Sequence, residues 1–153
     1  MAEAAEPQPP AEIEIEIESG VPPAVAAFRA REEREAQKTL WGFTVVPHAQ
    51  RHALLARRDG TLVGLLELEI AASLARIGSF IVSAAYRRRG IGSALLARAE
   101  ELANYYNCHK VTLEVPAGRP ARAFFEARGY HLEAILPQHT WKLEVAVLRK
   151  FLL

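Results

Sequence analysis

The sequence predicts an α/β domain built on a mixed sheet, and three features predict it. Short apolar runs alternate with helix-period segments along the chain, an Asp59-Gly60 pair separates two of those runs, and residues 90–106 repeat apolar side chains every three or four positions between two strand-like stretches. Strands and helices in alternation pack as helices against a sheet.

Taken in order, the stretch EIEIEIE (Glu12 to Glu18) puts Ile13, Ile15 and Ile17 on one face and four glutamates on the other. That is the period of a half-buried strand, whose neighbour should carry positive charge. Pro22 and Pro23 suit a helix start, and Ala24, Val25 and Phe28 form a short apolar stripe before a charged run that includes Arg34; KTLWGFTVVPH then breaks the pattern. From His52, HALLARRDGTLVGLLELEI reads as a hairpin, because Asp59-Gly60 favours a tight turn, and Arg57 and Arg58 are placed to lie near the glutamate face of the first strand. Leu74 to Val82 is a strand with Ile77, Phe80 and Val82 apolar. Gly90 opens the clearest helix: Ile91, Leu95, Ala99, Leu102 and Tyr106 make one stripe, while Arg98, Glu100, Glu101 and Asn104 fall elsewhere, so one face packs on the sheet. Lys110 to Val115 returns to strand, Arg119 to Arg128 is a short helix stopped by Gly129, and His131 to Leu136 and Trp141 to Leu152 are closing strands.

With 153 residues the chain fits one domain and one core. MAEAAEPQPP, residues 1–10, reads as a disordered tail with no targeting signal, leaving residues 11–153 as the domain. Half of the residues are hydrophobic and the formal net charge is +1, a balance that argues for neither nucleic acid nor membrane as a partner, so any anion site must be local. The most apolar region, Thr61 to Ala85, is interrupted by Glu67, Glu69 and Arg76, which marks it as core and not a membrane span. Cys108 is the only cysteine, which rules out an internal disulfide or a cysteine-rich zinc site and fits a reducing, cytoplasmic location. The apolar final strand, LEVAVLRKFLL, is either internal or a pairing edge for a homodimer.

The local anion site is YRRRGIGSALLARAEELA, residues 86–103. A helix begins with N–H groups that lack intrahelical partners and carries about half a positive charge at that end. Strand, glycine-bearing turn and helix therefore suit a phosphate: Gly90 and Gly92 let the backbone approach a diphosphate, and Arg87, Arg88 and Arg89 add charge. Glycine and arginine also precede helices in ordinary loops. There is no Gly-Lys-Ser/Thr, and three residues after Gly92 stands Leu95, so neither the nucleoside triphosphate loop nor the dinucleotide fingerprint is present.

Arg87-Arg88-Arg89-Gly90-Ile91-Gly92 resembles the R/Q-x-x-G-x-G/A motif of the GNAT superfamily of N-acetyltransferases. The resemblance extends over about residues 50–136 in family order, through the strand FIV, the helix SALLARAEELA, the strand VTLEV and the segment ARAFFEARGY. It implies a mostly antiparallel sheet of six to seven strands flanked by helices, and acetyl-CoA as co-substrate. It further implies that the turn from Arg87 to Ser93 holds the diphosphate, that the pantetheine lies along Phe80, Ile81 and Val82, and that Phe125 borders the cofactor.

Acetyl transfer needs an amine made neutral, a polarised thioester and a departing thiolate. VTLEV is similar to the L-E-V strand of the ribosomal-protein N-terminal alanine acetyltransferase branch, which implies Glu114 as general base; a glutamate on a strand also commonly sits on a solvated face. Glu67 and Glu69 are secondary candidates, pointing away from the face of Leu66, Leu68 and Ile70. The usual general acid is a tyrosine where this chain has Phe125, and the asparagine often found after the fifth strand is missing from Ala117-Gly118-Arg119-Pro120. Loss of a general acid costs at most ~10²–10⁴ in rate, and a thiol of pKa about 8.5 leaves tolerably without one. An α-amine is about one-seventh neutral at pH 7 and a lysine only about 0.04%, which favours an N-terminal or other weakly basic amine as acceptor.

Other conspicuous residues have structural readings beside functional ones. Tyr105, Tyr106 and Cys108 close the main helix and are within the core or near the thiol. His48 and His52 are four apart but lack a metalloprotease glutamate between them, so no metal is expected. His139, in PQHTW, lines the amine entrance or is simply exposed, and Leu40, Trp41 and Phe43 belong to the acceptor pocket or the core under it. Two other functions stay open: a non-catalytic coenzyme A-binding sensor or interaction module, suggested by Phe125 and Gly118, and a nucleic-acid binder using Arg87 to Arg89, which lacks a clustered basic face.

Overall fold

A computed structural model describes residues 15–44, 49–118 and 120–152. The chain divides into two compact units, Met1–Val45 and Val46–Leu153.

The first unit holds helix α1 (Ala24–Trp41). It is longer than the sequence pattern suggests: it continues through Lys38 to Trp41 and stops at Gly42, whose left-handed φ of 74° lets its N–H reach Lys38 O at 2.9 Å. Thr39 does not interrupt it because its Oγ1 donates to Glu35 O at 3.0 Å. The alternating segment before it corrects an expectation. Glu12, Ile13 and Glu14 lie outside the described residues, while Ile15 to Glu18 form no strand, with Ile15 and Ile17 exposed. Period-two alternation defines a face, but a strand also needs a neighbour to accept its N–H groups, and no ladder includes residues 15–18. Arg57, expected against those glutamates, donates to Gly60 O at 3.3 Å.

The second unit carries strands β1 (Gln50–Arg58), β2 (Thr61–Ala71), β3 (Leu74–Val82), helix α2 (Ile91–Tyr105), β4 (Lys110–Pro116), helix α3 (Ala121–Glu126), β5 (His131–Leu136) and β6 (Val145–Phe151). They form one sheet of order β1-β2-β3-β4-β6-β5, antiparallel except for the β3/β4 pair. The β1/β2 hairpin turns at Asp59 (φ 48°) and Gly60 (φ 79°), both left-handed, as a tight two-residue turn requires. The last strand begins later than the sequence pattern suggests, because Thr140–Lys142 is a 3₁₀ turn with Trp141 at φ 55°. β6 lies between β4 and β5, so both of its edges are occupied within the chain and it offers none to a second copy.

The core forms where α2 covers the sheet: Leu95, Leu96, Ala99 and Ala103 meet Leu66, Leu68, Ile77, Val111 and Leu113. Gly64 sets the closeness of that contact. A Cβ there would stand 3.1 Å from Ile91 Cγ2, 3.1 Å from Leu95 Cδ1 and 3.2 Å from Ala56 Cβ. Gly64→Ala is therefore expected to lower stability by ~1–3 kcal/mol and to push the start of α2 off β2, measured by chemical denaturation.

At the other end of the core, Tyr130 is buried and its hydroxyl donates to Glu100 Oε1 at 3.0 Å; Lys150 Nζ donates to both Glu100 oxygens and to Arg128 O. Burial first, then the Glu100 charge and hydrogen bond, push the Tyr130 phenol well above its usual range. Tyr130→Phe is expected to cost ~1 kcal/mol at neutral pH. Because the folded pKa is raised, the phenol's contribution is complete below about pH 10 and lost as pH rises beyond it, so the wild type and Tyr130→Phe should converge in stability in alkaline buffer. No helix among the described residues is long and apolar enough to cross a membrane.

Candidate functional site

β3 and β4 start as a parallel pair and then part. Their ladder runs from Leu74 opposite Lys110 to Ile77 opposite Leu113 and stops, so Gly78–Val82 and Glu114–Pro116 have no rungs between them. A bulge causes the divergence on the β3 side: in the β2/β3 register Leu68 faces Ile77 but Leu66 faces Phe80, which leaves Gly78 and Ser79 opposite the single Glu67. On the α2 side of this parted end of β3, a cavity of about 720 Å³ opens between β3, the turn into α2 and α3, within the usual range for small-molecule sites.

One wall is β3, through Phe80 and Val82. Strand alternation turns the Ile81 side chain to the other side, where it is exposed, so Ile81 does not line the cavity with its side chain. A second wall comes from α3 and its flanks, with Pro120, Phe124, Phe125 and Arg128. The rings of Phe80, Phe124 and Phe125 lie 5.1–5.8 Å apart, an apolar lining continuous with the core, since Phe125 is only 2% exposed and packs on Tyr130.

The floor is the turn into α2. Arg88 (φ 60°) and Gly90 (φ 81°) are both left-handed, which carries the chain sharply from the 3₁₀ turn Ala84–Tyr86 into the helix. The N–H groups of residues 88–93 have no backbone acceptor among the described residues; the next is Ala94, bonded to Gly90 O at 3.0 Å. These free donors sit at the positive end of a 15-residue helix, an arrangement of backbone N–H groups that suits an anion. Gly92 faces the rings: a Cβ there would be 3.4 Å from Phe80 Cζ and 3.5 Å from Phe124 Cζ.

Of the sequence-predicted residues, Arg87, Arg88, Gly90, Ile91, Gly92 and Ser93 line this cavity. Arg87 Nε donates to Val82 O at 3.2 Å, tying the turn to the strand it leaves. Arg89 is not part of the lining itself, but its guanidinium lies 5.5 Å from the ring of Tyr86, which is. Arg128 and Phe124 escaped the sequence reading. The available signal was spacing: Arg128 is four residues after Phe124, directly before the Gly129 turn, and its guanidinium stacks 3.6 Å from the Phe124 ring centre.

Glu114 is the first residue of β4 beyond the last β3/β4 rung. Its neighbours Leu113 and Val115 are buried under the helices, so it projects from the opposite face, and its Oε2 lies 3.9 Å from His139 Nε2. Glu67 and Glu69 line a separate cavity with His52 and Arg76, where Glu69 pairs with Arg51 at 3.4 Å.

Tyr105, Tyr106 and Cys108 are not brought to the opening. They close α2 next to Ser73 and His109, about 20 Å along the helix from Ser93. There Tyr106 stacks on His52, and burial pushes the Cys108 thiol up. His48 lies outside the described residues, and His52 Nε2 is 3.2 Å from Gln50 Oε1. Leu40 and Trp41 end α1 and Phe43 follows, with the Trp41 and Phe43 rings 6.3 Å apart.

The sequence profile described as "Acetyltransferase (GNAT) family" matches residues 16–130. No curated protein matches the chain. Among solved structures, an acetyltransferase from Bacillus cereus ATCC 14579 is similar with a TM-score of 0.70 at 18% identity, over 90% of this chain and 98% of that one. The ribosomal-protein-S18-alanine N-acetyltransferase from Escherichia coli is similar with a TM-score of 0.62 at 18% identity, over 87% and 91%. An acetyltransferase from Bacillus anthracis str. Ames, solved in complex with acetyl coenzyme A, is similar with a TM-score of 0.60 at 20% identity, over 64% and 60%. Identities this low establish the shared fold, and the profile establishes the kinship. Since the matched span includes both the parted strands and the turn that faces them, the chain belongs to the GNAT acetyltransferase family and uses acetyl-CoA as its acyl donor.

Proposed function

We propose that the protein acetylates a primary amine, with the N-terminal α-amine of a peptide as the favoured acceptor and a small amine as the next. The observation that carries this reading is Glu114, the first β4 residue past the last rung, with its carboxylate beside His139. In this reading the free N–H groups of residues 88–93 hold the cofactor diphosphate, with charge from Arg87 and Arg88, and the pantetheine follows β3 past Phe80 and Val82. Bound there, acetyl-CoA supplies an acyl group on a thiol that leaves readily near neutral pH.

The residues of this chain then orient the amine and accept its proton. Glu114 receives the proton of the incoming ammonium, directly or through water, and His139 borders the approach from the turn after β5. At pH 7 about one-seventh of an α-amine is already neutral against about 0.04% of a lysine, so a half-exposed carboxylate has the smaller task with the former. The likeness to the ribosomal-protein-S18-alanine N-acetyltransferase agrees with that acceptor class.

Phe125 favours a second reading. It occupies the position of the usual tyrosine, has no proton to give and is buried, as a non-catalytic coenzyme A-binding module would tolerate. One assay separates the two: thiol release from acetyl-CoA with peptides bearing free N-termini, the same peptides blocked and carrying an internal lysine, and polyamines, with products located by mass spectrometry. Acetylation of the free α-amines is expected. Modification of lysine side chains alone would overturn the acceptor class, and coenzyme A binding without any thiol release would establish the second reading.

A further inference from the structure

We infer that Arg128 is a phosphate-binding residue of the cofactor site, a side-chain ligand for the diphosphate held by the α2 turn. The inference rests on the proposed reading of the cavity between β3, α2 and α3 and adds to it a residue from the far side of the opening.

The Arg128 guanidinium is held on three sides. Nε and Nη2 donate to Ser93 Oγ at 3.1 and 2.6 Å, Nη1 donates to Phe124 O at 2.7 Å, and its plane lies 3.6 Å from the centre of the Phe124 ring. Three of five N–H groups are thereby used, which leaves one on each terminal nitrogen. Ser93 belongs to the first turn of α2, so these contacts clamp the cation against the end of the helix whose N–H groups are free.

That placement is electrostatically unfavourable among the protein's own charges. A cation at a helix N-terminus meets the positive end of the dipole, and here Arg87 and Arg88 line the same cavity. No aspartate or glutamate lines it, and among the described residues none pairs with Arg128; the nearby carboxylate of Glu100 is engaged by Tyr130 and Lys150. Elsewhere in the fold arginines meet carboxylates, as Arg122 does Glu126 and Arg149 does Glu133. A half-buried guanidinium, rigidly positioned, with spare donors and no counter-charge, fits an anion that arrives from outside, and the planar fork suits a phosphate oxygen pair.

The test is calorimetric binding of coenzyme A, 3′-dephospho-coenzyme A and pantetheine to the wild type, Arg128→Gln and Arg128→Lys, with circular dichroism to confirm folding. Arg128→Gln is expected to weaken coenzyme A and 3′-dephospho-coenzyme A alike by ~10-fold or more and to leave pantetheine unchanged. Arg128→Lys, which keeps the charge but loses the fork and the stack, should fall between. A general loosening of the cavity would weaken all three ligands together, so equal losses overturn the inference. So does a loss confined to coenzyme A, which would assign Arg128 to the 3′-phosphate, or a coenzyme A preference over pantetheine that Arg128→Gln leaves intact. If the wild type itself does not prefer the two diphosphate ligands to pantetheine, the reading of the cavity falls, and this inference with it.

Discussion

Gly92→Val should bind coenzyme A ~10- to 100-fold more weakly than the wild type while remaining folded. Gly92 lies in the first turn of α2 with an ordinary helical backbone, so valine is sterically allowed by the chain itself. The obstacle is lateral. A Cβ fits at 3.4–3.5 Å from the rims of Phe80 and Phe124, but the two methyl groups beyond it have only those rings or the cavity to enter. Pushing the rings carries an overpacking cost of ~1–3 kcal/mol, and filling the cavity screens the N–H groups of residues 91–93 from a phosphate. Arg88→Ala is the control: Arg88 is exposed and contributes charge through solvent, so a ~2- to 5-fold loss is expected. Small and equal effects of the two substitutions, measured by calorimetry, would mean that the turn does not grip the cofactor.

Glu114→Gln should lower kcat by ~10²–10⁴ with a good peptide acceptor and leave coenzyme A affinity unchanged. The separation follows from position, since Glu114 does not line the cofactor cavity and projects from the face opposite α2. Glutamine retains the shape and loses only the ability to take a proton. The deficit should narrow toward pH 9, where an α-amine is mostly neutral without help. An unaltered kcat would move the base elsewhere, with Glu67 and Glu69 in their own cavity the next residues to replace. A change in coenzyme A affinity would instead show that the two faces of the sheet are not independent.

Local chemistry made several elements legible. The 91–105 helix announces itself by its apolar period, the β1/β2 hairpin by Asp59-Gly60, and β3 by an apolar run whose ends, Leu74 and Val82, are also those of the folded strand. The unpaired amides of the α2 turn were likewise readable, because any helix start leaves them. EIEIEIE was misleading for the opposite reason: its alternation is as regular as a pattern can be, yet strand formation depends on a partner that local sequence does not specify. For Tyr106 and Cys108 the local pattern leaves core and thiol neighbour both open, and packing decides for the core: Cys108 is buried and Tyr106 packs against the same cluster at the far end of α2.

By itself, the sequence of this protein determined the period of each helix and strand, the hairpin turn and a helix start with free donors, all properties of neighbours in the chain. Only the tertiary structure decided that β3 and β4 part after Ile77, that the Ile81 side chain turns away from the cavity, and that Arg128 reaches Ser93 from 35 residues away. The physical reason is range. Backbone propensity and side-chain period act over a few residues, whereas a cavity is made by surfaces that meet only after the sheet has set their register and its twist has set their separation.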